Sequence, residues 1–117
     1  MKKAQHKRSP CPIACTLDII GDKWTLLLIR DMLLRRTYFN EFFRSPEGIA
    51  TNILADRLEK LLAQGLAEKY VTNDIPARDA YRLTTKGKTL RPVLEAVAKW
   101  GLINIVGTET KMKPKSA

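Results

Sequence analysis

The sequence has little of the chemistry that catalytic and metal sites need. Its single histidine is His6, and its only cysteines are Cys11 and Cys15. A structural zinc site needs about four ligands, and a disulfide framework needs more than two cysteines. A Ser-His-Asp triad needs a histidine that can enter the folded domain. We therefore expect no enzymatic activity, no metal and no cofactor.

Long hydrophobic runs are missing as well. No apolar stretch approaches the roughly 20 residues of a membrane-spanning helix. The stretch after the basic N-terminus contains Cys15, Thr16 and Asp18 and lacks the small-residue cleavage site of a signal peptide. The sequence therefore predicts a cytoplasmic protein with no membrane partner. Its 117 residues are enough for one domain with a single modest core.

Acidic residues are too few to balance the basic ones. The chain has 21 Lys and Arg against 12 Asp and Glu, which gives a net charge of +9. Seven basic residues lie near the two ends: Lys2, Lys3, Lys7, Arg8, Lys111, Lys113 and Lys115. Without these seven, the chain keeps 14 basic and 12 acidic residues, so charge supports a nucleic-acid partner only mildly. We predict a disordered basic arm (1–9), a folded domain (10–107) and a flexible basic tail (108–117).

Helical periodicity begins at Pro12. Apolar residues share one face of a first helix as far as Ile20, and Gly21 ends the run. Asp22 is placed to cap a second helix that runs from Lys23 to about Leu34. That helix is apolar around most of its girth. We therefore expect it at the centre of the core, with Arg30 and Asp31 at a paired or solvated edge.

Two further helices follow. A brief one, residues 39–44, turns three phenylalanines inward: Phe39, Phe42 and Phe43. The next has a stripe of leucines at helical spacing: Leu54, Leu58, Leu61 and Leu62. Gly65 can take the left-handed conformation that ends a helix. The face opposite the stripe starts with short polar side chains, which is what base reading in a major groove requires.

After Gly65 the pattern changes to loose alternation. Residues 66–72 and 79–83 each indicate a half-buried strand, and the polar segment 73–78 joins them as a β-hairpin with an exposed tip. Thr84 or Thr85 then caps a final long helix toward Val106. Pro92 either kinks this helix or marks its first regular turns.

The final helix is apolar on more than one face, and a domain of this size has no second core to receive it. The simplest solution is a homodimer that buries the last helix together with the first. The alternative is a longer wrap of the helix over the protein's own core. The residues that we assign to the dimer interface are Ile13, Leu17, Val97, Trp100, Ile103 and Ile105.

Three helices followed directly by a two-stranded hairpin are typical of a winged helix-turn-helix, an α+β fold that is mostly α. In this fold the third helix lies in the major groove and the hairpin reaches the backbone or the minor groove. Each element is a weak signal, but the combination with a basic wing residue is moderately specific. The main alternative is a winged helix that binds protein instead of DNA.

The chain also resembles the HxlR-type (DUF24) transcriptional regulators, winged-helix proteins related to the MarR group. The resemblance runs from about Cys11 to Gly101. It rests on motifs along the whole domain: Cys11-Pro12, Leu17-Asp18-Ile19-Ile20-Gly21, Lys23-Trp24-Thr25, Arg30-Asp31, Phe39-Asn40-Glu41, Leu54, Arg57-Leu58, Gly65-Leu66, Ile75-Pro76-Ala77-Arg78, Tyr81-Arg82-Leu83-Thr84, Gly87 and Trp100-Gly101.

The resemblance implies a homodimeric repressor or activator that binds a pseudo-palindromic DNA operator. It assigns the recognition helix to residues 51–64 and the wing to residues 73–78. The residues expected to contact DNA are Asn40, Arg44, Thr51, Asn52, Ala55, Asp56, Arg57 and Arg78. Alternatively, Arg78 is a solvated hairpin tip and Arg57 forms an ion pair with Asp31 or Glu41.

The sequence departs from the family pattern at three places. Ala50 occupies the usual position of a helix-capping serine, so Thr51 or a bound phosphate must satisfy the open amides. Asp56 faces outward and would be repelled by phosphate unless it accepts a cytosine amino proton. The connection Leu34-Arg35-Arg36 lacks the glycine that is common there.

Cys11 matches a cysteine that senses oxidants or electrophiles in some HxlR-type proteins. A helix start beside a basic arm favours the thiolate form of such a residue. Cys15 lies one turn further on, with a poor orientation for a disulfide to Cys11, so an intersubunit bond is the better hypothesis if one forms. The alternatives are two buried structural thiols, a thiol-based redox sensor, or a regulator that responds to a small molecule.

Overall fold

The computed structural model describes residues 8–72 and 78–110. Its elements are α1 (Pro12–Ile20), α2 (Thr25–Leu33), α3 (Phe39–Phe43), α4 (Thr51–Ala63), β1 (Ala67–Val71), β2 (Asp79–Leu83), α5 (Thr85–Lys88) and α6 (Arg91–Asn104). This order confirms the predicted winged helix-turn-helix, mostly α with a two-stranded sheet. Within the described ranges, no helix is long and apolar enough to cross a membrane.

The core forms around α2, as its apolar girth predicts. Leu28 and Ile29 of α2 are almost completely buried, and Leu54 and Leu58 of α4 pack into the same cluster. Burial of side chains of this size contributes about 1.5–3 kcal/mol each. The leucine stripe of α4 is therefore the face that joins this helix to the core, which leaves its opposite face to solvent.

The second helix begins two residues later than predicted. The carboxylate of Asp22 accepts hydrogen bonds from the backbone amides of Trp24 (3.0 Å) and Thr25 (3.1 Å). Asp22 therefore caps the helix start as expected, but regular helix begins only at Thr25.

The end of α4 also follows the prediction. Gly65, which lies after this helix, has φ +72°, the left-handed conformation predicted for a helix stop.

The two wing strands are antiparallel, and Ala67 pairs with Leu83 at the base of the hairpin. The segment before α3 adds a short third edge to this sheet, because Tyr38 bridges Ala80 and the Tyr81 amide donates to the Thr37 carbonyl (2.9 Å). The predicted wing loop falls mainly on residues 73–77, which lie outside the described residues.

The prediction of one long terminal helix is wrong. Thr84 caps only the short helix α5, whose amide at Gly87 donates to the Thr84 side chain (3.0 Å). A new helix, α6, then starts with Pro92 in its first turn, where the missing amide of proline costs no hydrogen bond. Ile105 and Val106 lie beyond its end. Pro92 therefore marks the first regular turn, as one of the two expectations held.

The inward orientation predicted for all three phenylalanines of α3 is also wrong for one of them. Phe42 is fully buried and meets Tyr81 edge-on, with 6.2 Å between the ring centroids. Phe39 is half-buried against the core. Phe43 is 45% exposed, because consecutive residues of a helix point about 100° apart and only one side of this single turn faces the core.

Candidate nucleic-acid interface

The exposed face of α4 carries short side chains over its first turns. Thr51, Asn52, Ala55 and Asp56 are all exposed. Ala50 is the N-cap residue and supplies no side-chain hydrogen bond, so the first amides of α4 are not capped by that residue. A face of this kind can approach a polyanion closely and offers amide donors at its positive helix end.

A buried carboxylate holds the turn between α3 and α4 in place. Asp31 on α2 is 1% exposed and accepts hydrogen bonds from Arg30 (2.9 Å), Arg36 (3.0 Å) and the Ser45 hydroxyl. Arg30 also bonds Glu47 through two nitrogens, each at 2.8 Å. Asp31 is thus a paired residue, as one predicted alternative held. This network fixes the chain just before α4.

The ion pair between Glu47 and Arg30 shifts the pKa of each group in the direction that favours its charged form. The hydrogen bond from Arg30 lowers the pKa of Glu47 below its ordinary value, against a raising effect of burial. The hydrogen bond to Glu47, and then those to Asp31, raise the pKa of Arg30 against the opposing effect of burial. Both Glu47 and Arg30 are therefore charged at neutral pH.

Arg57 forms an intramolecular ion pair, but not with the predicted partners Asp31 or Glu41. Its guanidinium donates to Asp22 at 2.9 Å and to the neighbouring Asp56, and the bond to Asp22 raises its pKa. Asp56 also lies 3.3 Å from Lys60. Arg57 thus ties α4 to the connection between α1 and α2, and the charge of Asp56 is partly neutralised within the chain.

Asp22 is a junction of several donors. Burial alone would raise its pKa, but hydrogen bonds from the Thr25 hydroxyl, Arg57 and the amides of Trp24 and Thr25 lower it to about 2. The pairing of Asp22 with Arg57 joins residues 35 positions apart. No local pattern in the sequence indicates such a partner, which is why the sequence did not predict it.

The loop end of the wing strands is fastened to the start of α3. Arg78 donates to the Asn40 side-chain oxygen at 2.6 Å, and its guanidinium carbon lies 4.0 Å from the centroid of the Tyr38 ring. The Tyr38 hydroxyl is 2.9 Å from the hydroxyl of Thr72, the residue that follows β1. Two predicted DNA contacts, Asn40 and Arg78, are therefore neighbours, and Arg78 is not a freely solvated tip.

The start of α3 itself is closed by Glu41, whose carboxylate accepts from the amides of Tyr38 (2.9 Å) and Thr37 (2.7 Å). These backbone bonds lower the pKa of Glu41. Tyr38 is a residue that the sequence reading missed. An aromatic side chain one residue before a helix and beside a basic wing is the signal that could have indicated it.

The remaining predicted residues lie elsewhere on the surface. Arg44 is exposed at the end of α3. Cys11 is exposed at the N-cap of α1, which contradicts the alternative that it is buried, and Cys15 donates from Sγ to the Ser9 carbonyl (3.3 Å). Arg8, assigned to the arm, bonds Asp18 at 2.8 Å, whereas residues 1–7 lie outside the described part.

The geometry defines a winged helix-turn-helix DNA-binding protein: a core-anchored helix with an exposed outer face, beside a hairpin that carries a cation, Arg78, at its loop end. Comparison with known proteins agrees with this class. The HxlR-like helix-turn-helix family matches residues 19–108. The HTH-type transcriptional regulator YybR of Bacillus subtilis (strain 168) is 34% identical over 103 residues, which cover 88% of this chain and 82% of YybR.

Solved structures show the same likeness. PA1607 matches with a TM-score of 0.80 and 37% identity, covering 92% of this chain and 75% of that one. The redox regulator HypR in its reduced form matches with a TM-score of 0.73 and 35% identity, covering 80% and 93%. The chain belongs to the HxlR-like helix-turn-helix family. It is a DNA-binding transcriptional regulator, a class without enzymatic activity.

Proposed function

We propose that two copies of this chain bind a pseudo-palindromic operator in double-stranded DNA. Each copy inserts α4 into a major groove and lays its wing along the adjacent backbone or minor groove. The observation that carries the proposal is the contact of Arg78 with Asn40 and Tyr38. This contact holds a cation of the wing against α3, the helix that precedes α4 and its exposed face. Since the partner is chromosomal DNA, the proposed place of action is the cytoplasm.

Base reading is assigned to the first turns of α4. The Asn52 amide can make paired hydrogen bonds to an adenine edge, the Ala55 methyl can contact a thymine methyl, and Asp56 can accept from a cytosine amino group. Thr51 and the uncapped amides near it are suited to phosphate. The pairing of Asp56 with Arg57 and Lys60 supports this assignment, because it lowers the repulsion between Asp56 and the backbone.

Backbone positioning is assigned to Asn40, Arg44 and Arg78. Arg57, although on α4, is assigned to positioning the helix and not to DNA, because both of its ion-pair partners, Asp22 and Asp56, are carboxylates of this chain. A DNA phosphate that took over Arg57 would leave Asp22 without its cation. The positive charges that contact phosphate are therefore those of Arg44 and Arg78, which lie outside α4.

The apolar surface supports a homodimer. On α1, Ile13 is 70% and Leu17 is 52% exposed. On α6, the exposed residues recur at helical spacing: Val97, Trp100 and Ile103, followed by Ile105. Monomeric proteins rarely leave a stripe of this kind open to water. A two-fold mate would cover it with the same stripe, and it would space two α4 helices for two half-sites.

The test of DNA docking is fluorescence anisotropy on an operator obtained by footprinting the genomic sites. Asn52→Ala should relax discrimination at particular base pairs. Arg78→Ala should weaken binding to all sequences and reduce the salt slope by about 1. Lys86→Ala is the matched control, because Lys86 is a surface cation bonded to the Gln64 carbonyl at the far end of α4. Unchanged operator affinity in both variants would contradict the docking.

The test of the dimer is sedimentation at micromolar concentration. Trp100→Glu should give a monomer and lower operator affinity, because the charge would be buried without a partner in the interface. Val71→Glu is the control, since Val71 is an 81% exposed apolar residue on the wing, away from α1 and α6. A wild-type monomer, or equal dissociation in both variants, would contradict this arrangement.

A thiol-based response is a second candidate, favoured by the exposed Cys11 thiol and by the likeness to the redox regulator HypR. Two Cys11 thiols of a dimer would lose two protons and two electrons to hydrogen peroxide, giving a disulfide and water. Non-reducing electrophoresis should then show a covalent dimer that Cys11→Ser abolishes and Cys15→Ser retains. An oxidant effect on DNA binding that survives Cys11→Ser would remove this candidate.

A further inference from the structure

A group of cations in the described chain lies away from α4 and from the contact of Arg78 with Asn40. A cavity of about 530 Å³ opens between the end of α2, the wing strands and the start of α6. Its rim carries five basic side chains: Arg35, Arg36, Arg82, Lys88 and Arg91. Its floor is formed by the buried residues Met32, Tyr81 and Leu83. A cavity of this size can hold a small molecule.

The charges of this cavity are only partly neutralised. Arg36 is paired with Asp31, Arg82 with Glu68 (2.8 Å) and Arg91 with Glu95 (3.1 Å). Arg82 is also stacked on the Tyr70 ring at 4.2 Å, which orients its guanidinium. Arg35 and Lys88 make no ion pair among the residues that the structure describes. The rim therefore keeps two positive charges beyond its own counter-charges.

The backbone at Arg35 is the second observation. Its φ is +70°, and it is the only described residue other than glycine with a positive φ. A side chain in this left-handed region is strained, whereas glycine takes it freely. No ion pair of Arg35 within the described chain offsets the strain. Strained residues of this kind are typical of binding sites, where the side chain is needed for a partner.

We propose that this cavity binds an organic anion, with a carboxylate or phosphate head group held by Arg35 and Lys88 and an apolar body against Met32 and Tyr81. Guanidinium groups favour such head groups because they donate parallel hydrogen bonds to two oxygens. The buried floor offers an apolar contact, which an inorganic ion could not use. The ligand class is therefore an amphipathic anion.

The cavity is also placed to influence DNA binding, a consequence that rests on the proposed function. Arg36 on its rim bonds Asp31, which in turn bonds Ser45 just before α4. Arg82 lies on the wing strand β2, and Arg91 opens α6. An anion that draws on Arg36, Arg82 and Arg91 therefore competes with contacts that fix the recognition helix, the wing and the proposed dimer helix.

Calorimetric titration of the full chain without DNA tests the site. Phenyl phosphate should bind saturably, inorganic phosphate about tenfold more weakly, and neutral benzyl alcohol not at all. Arg35→Gly and Lys88→Ala should each weaken phenyl phosphate at least about fivefold, and Arg35→Gly should fold because it removes strain. Lys99→Ala, an exposed cation of α6 outside the cavity, should change nothing.

Three results would overturn the proposal: no saturable binding up to about 10 mM, equal binding of benzyl alcohol, or wild-type affinity in Arg35→Gly. Operator binding separates this site from the DNA interface. Arg35→Gly should keep operator affinity within about twofold, whereas a loss as large as that of Arg78→Ala would assign these cations to phosphates of DNA instead. Because the titration contains no DNA, its outcome is independent of the proposed docking.

Discussion

Replacing Asp31 by alanine tests the idea that one buried carboxylate organises the helix-turn-helix. The carboxylate is 1% exposed and is bonded by Arg30, Arg36 and the Ser45 hydroxyl. Its removal leaves these donors unpaired in a region that water reaches poorly. Breaking a buried ion pair from one side costs about 3–5 kcal/mol.

The expected loss is near the lower end of that range. Arg30 keeps its two hydrogen bonds to Glu47, and the Arg36 side chain is 35% exposed, so both guanidinium groups remain partly solvated or paired. The buried Ser45 hydroxyl loses its acceptor, which adds about 1 kcal/mol. We expect Asp31→Ala to lower the free energy of unfolding by about 3 kcal/mol. For a domain of this size, that lowers Tm by roughly 10–15 °C.

The assay is urea unfolding followed by circular dichroism and tryptophan fluorescence at one fixed protein concentration, since a dimer gains stability with concentration. Asp18→Ala is the matched control. Asp18 also accepts from an arginine, Arg8, but the two side chains are 41% and 65% exposed, and such surface pairs contribute less than about 1 kcal/mol. A loss below about 1 kcal/mol for Asp31→Ala, or equal losses in the two variants, would refute the organising role.

Three further measurements follow from individual residues. The pKa of Asp22 is about 2 against an ordinary 3.8, which contributes at most about 2 kcal/mol of stability. This contribution is present above pH ~4 and is lost as the pH falls toward 2. Urea titrations should therefore show that the stability difference between wild type and Asp22→Asn shrinks on acidification. Arg35→Gly should raise the free energy of unfolding by about 1 kcal/mol, because φ +70° costs glycine nothing, and an unchanged or lower thermal midpoint would contradict the strain. Thr84→Ala should lower it by about 1 kcal/mol through loss of the α5 cap, whereas Thr84→Ser should keep most of it.

The sequence predicts well those elements whose signals are local. The leucine stripe of α4 and the left-handed Gly65 after it require only helical spacing and one residue type, and both occur as predicted. The wing strands follow from alternation in the same way. Local signals also locate the short polar face of α4, because burial of one stripe exposes the opposite side.

The break between α5 and α6 depends on a contact that periodicity does not contain. A Cβ on Gly87 would lie 2.0 Å from the Leu66 carbonyl oxygen, so this turn must pass directly against the end of the α4 connection. Residues 84–90 therefore bend around the base of the wing before α6 can start. From the sequence alone, Pro92 is compatible with either a kink or a new start, and only the long-range approach of Gly87 to Leu66 decides between them.

Ion-pair partners are the other feature that the sequence leaves open, and they change the role proposed for α4 in DNA binding. Arg57 looks from its position like a DNA contact, but the structure pairs it with Asp22 and Asp56. Taking Arg57 out of the DNA surface leaves the first turns of α4 without a free cation of their own. In the proposed docking, their contribution to affinity comes from hydrogen bonds and close packing, which discriminate between bases, while Arg44 and Arg78 on either side supply the phosphate attraction. A division of this kind predicts that substitutions on α4 change operator preference more than salt dependence, and that substitutions at its flanks do the reverse.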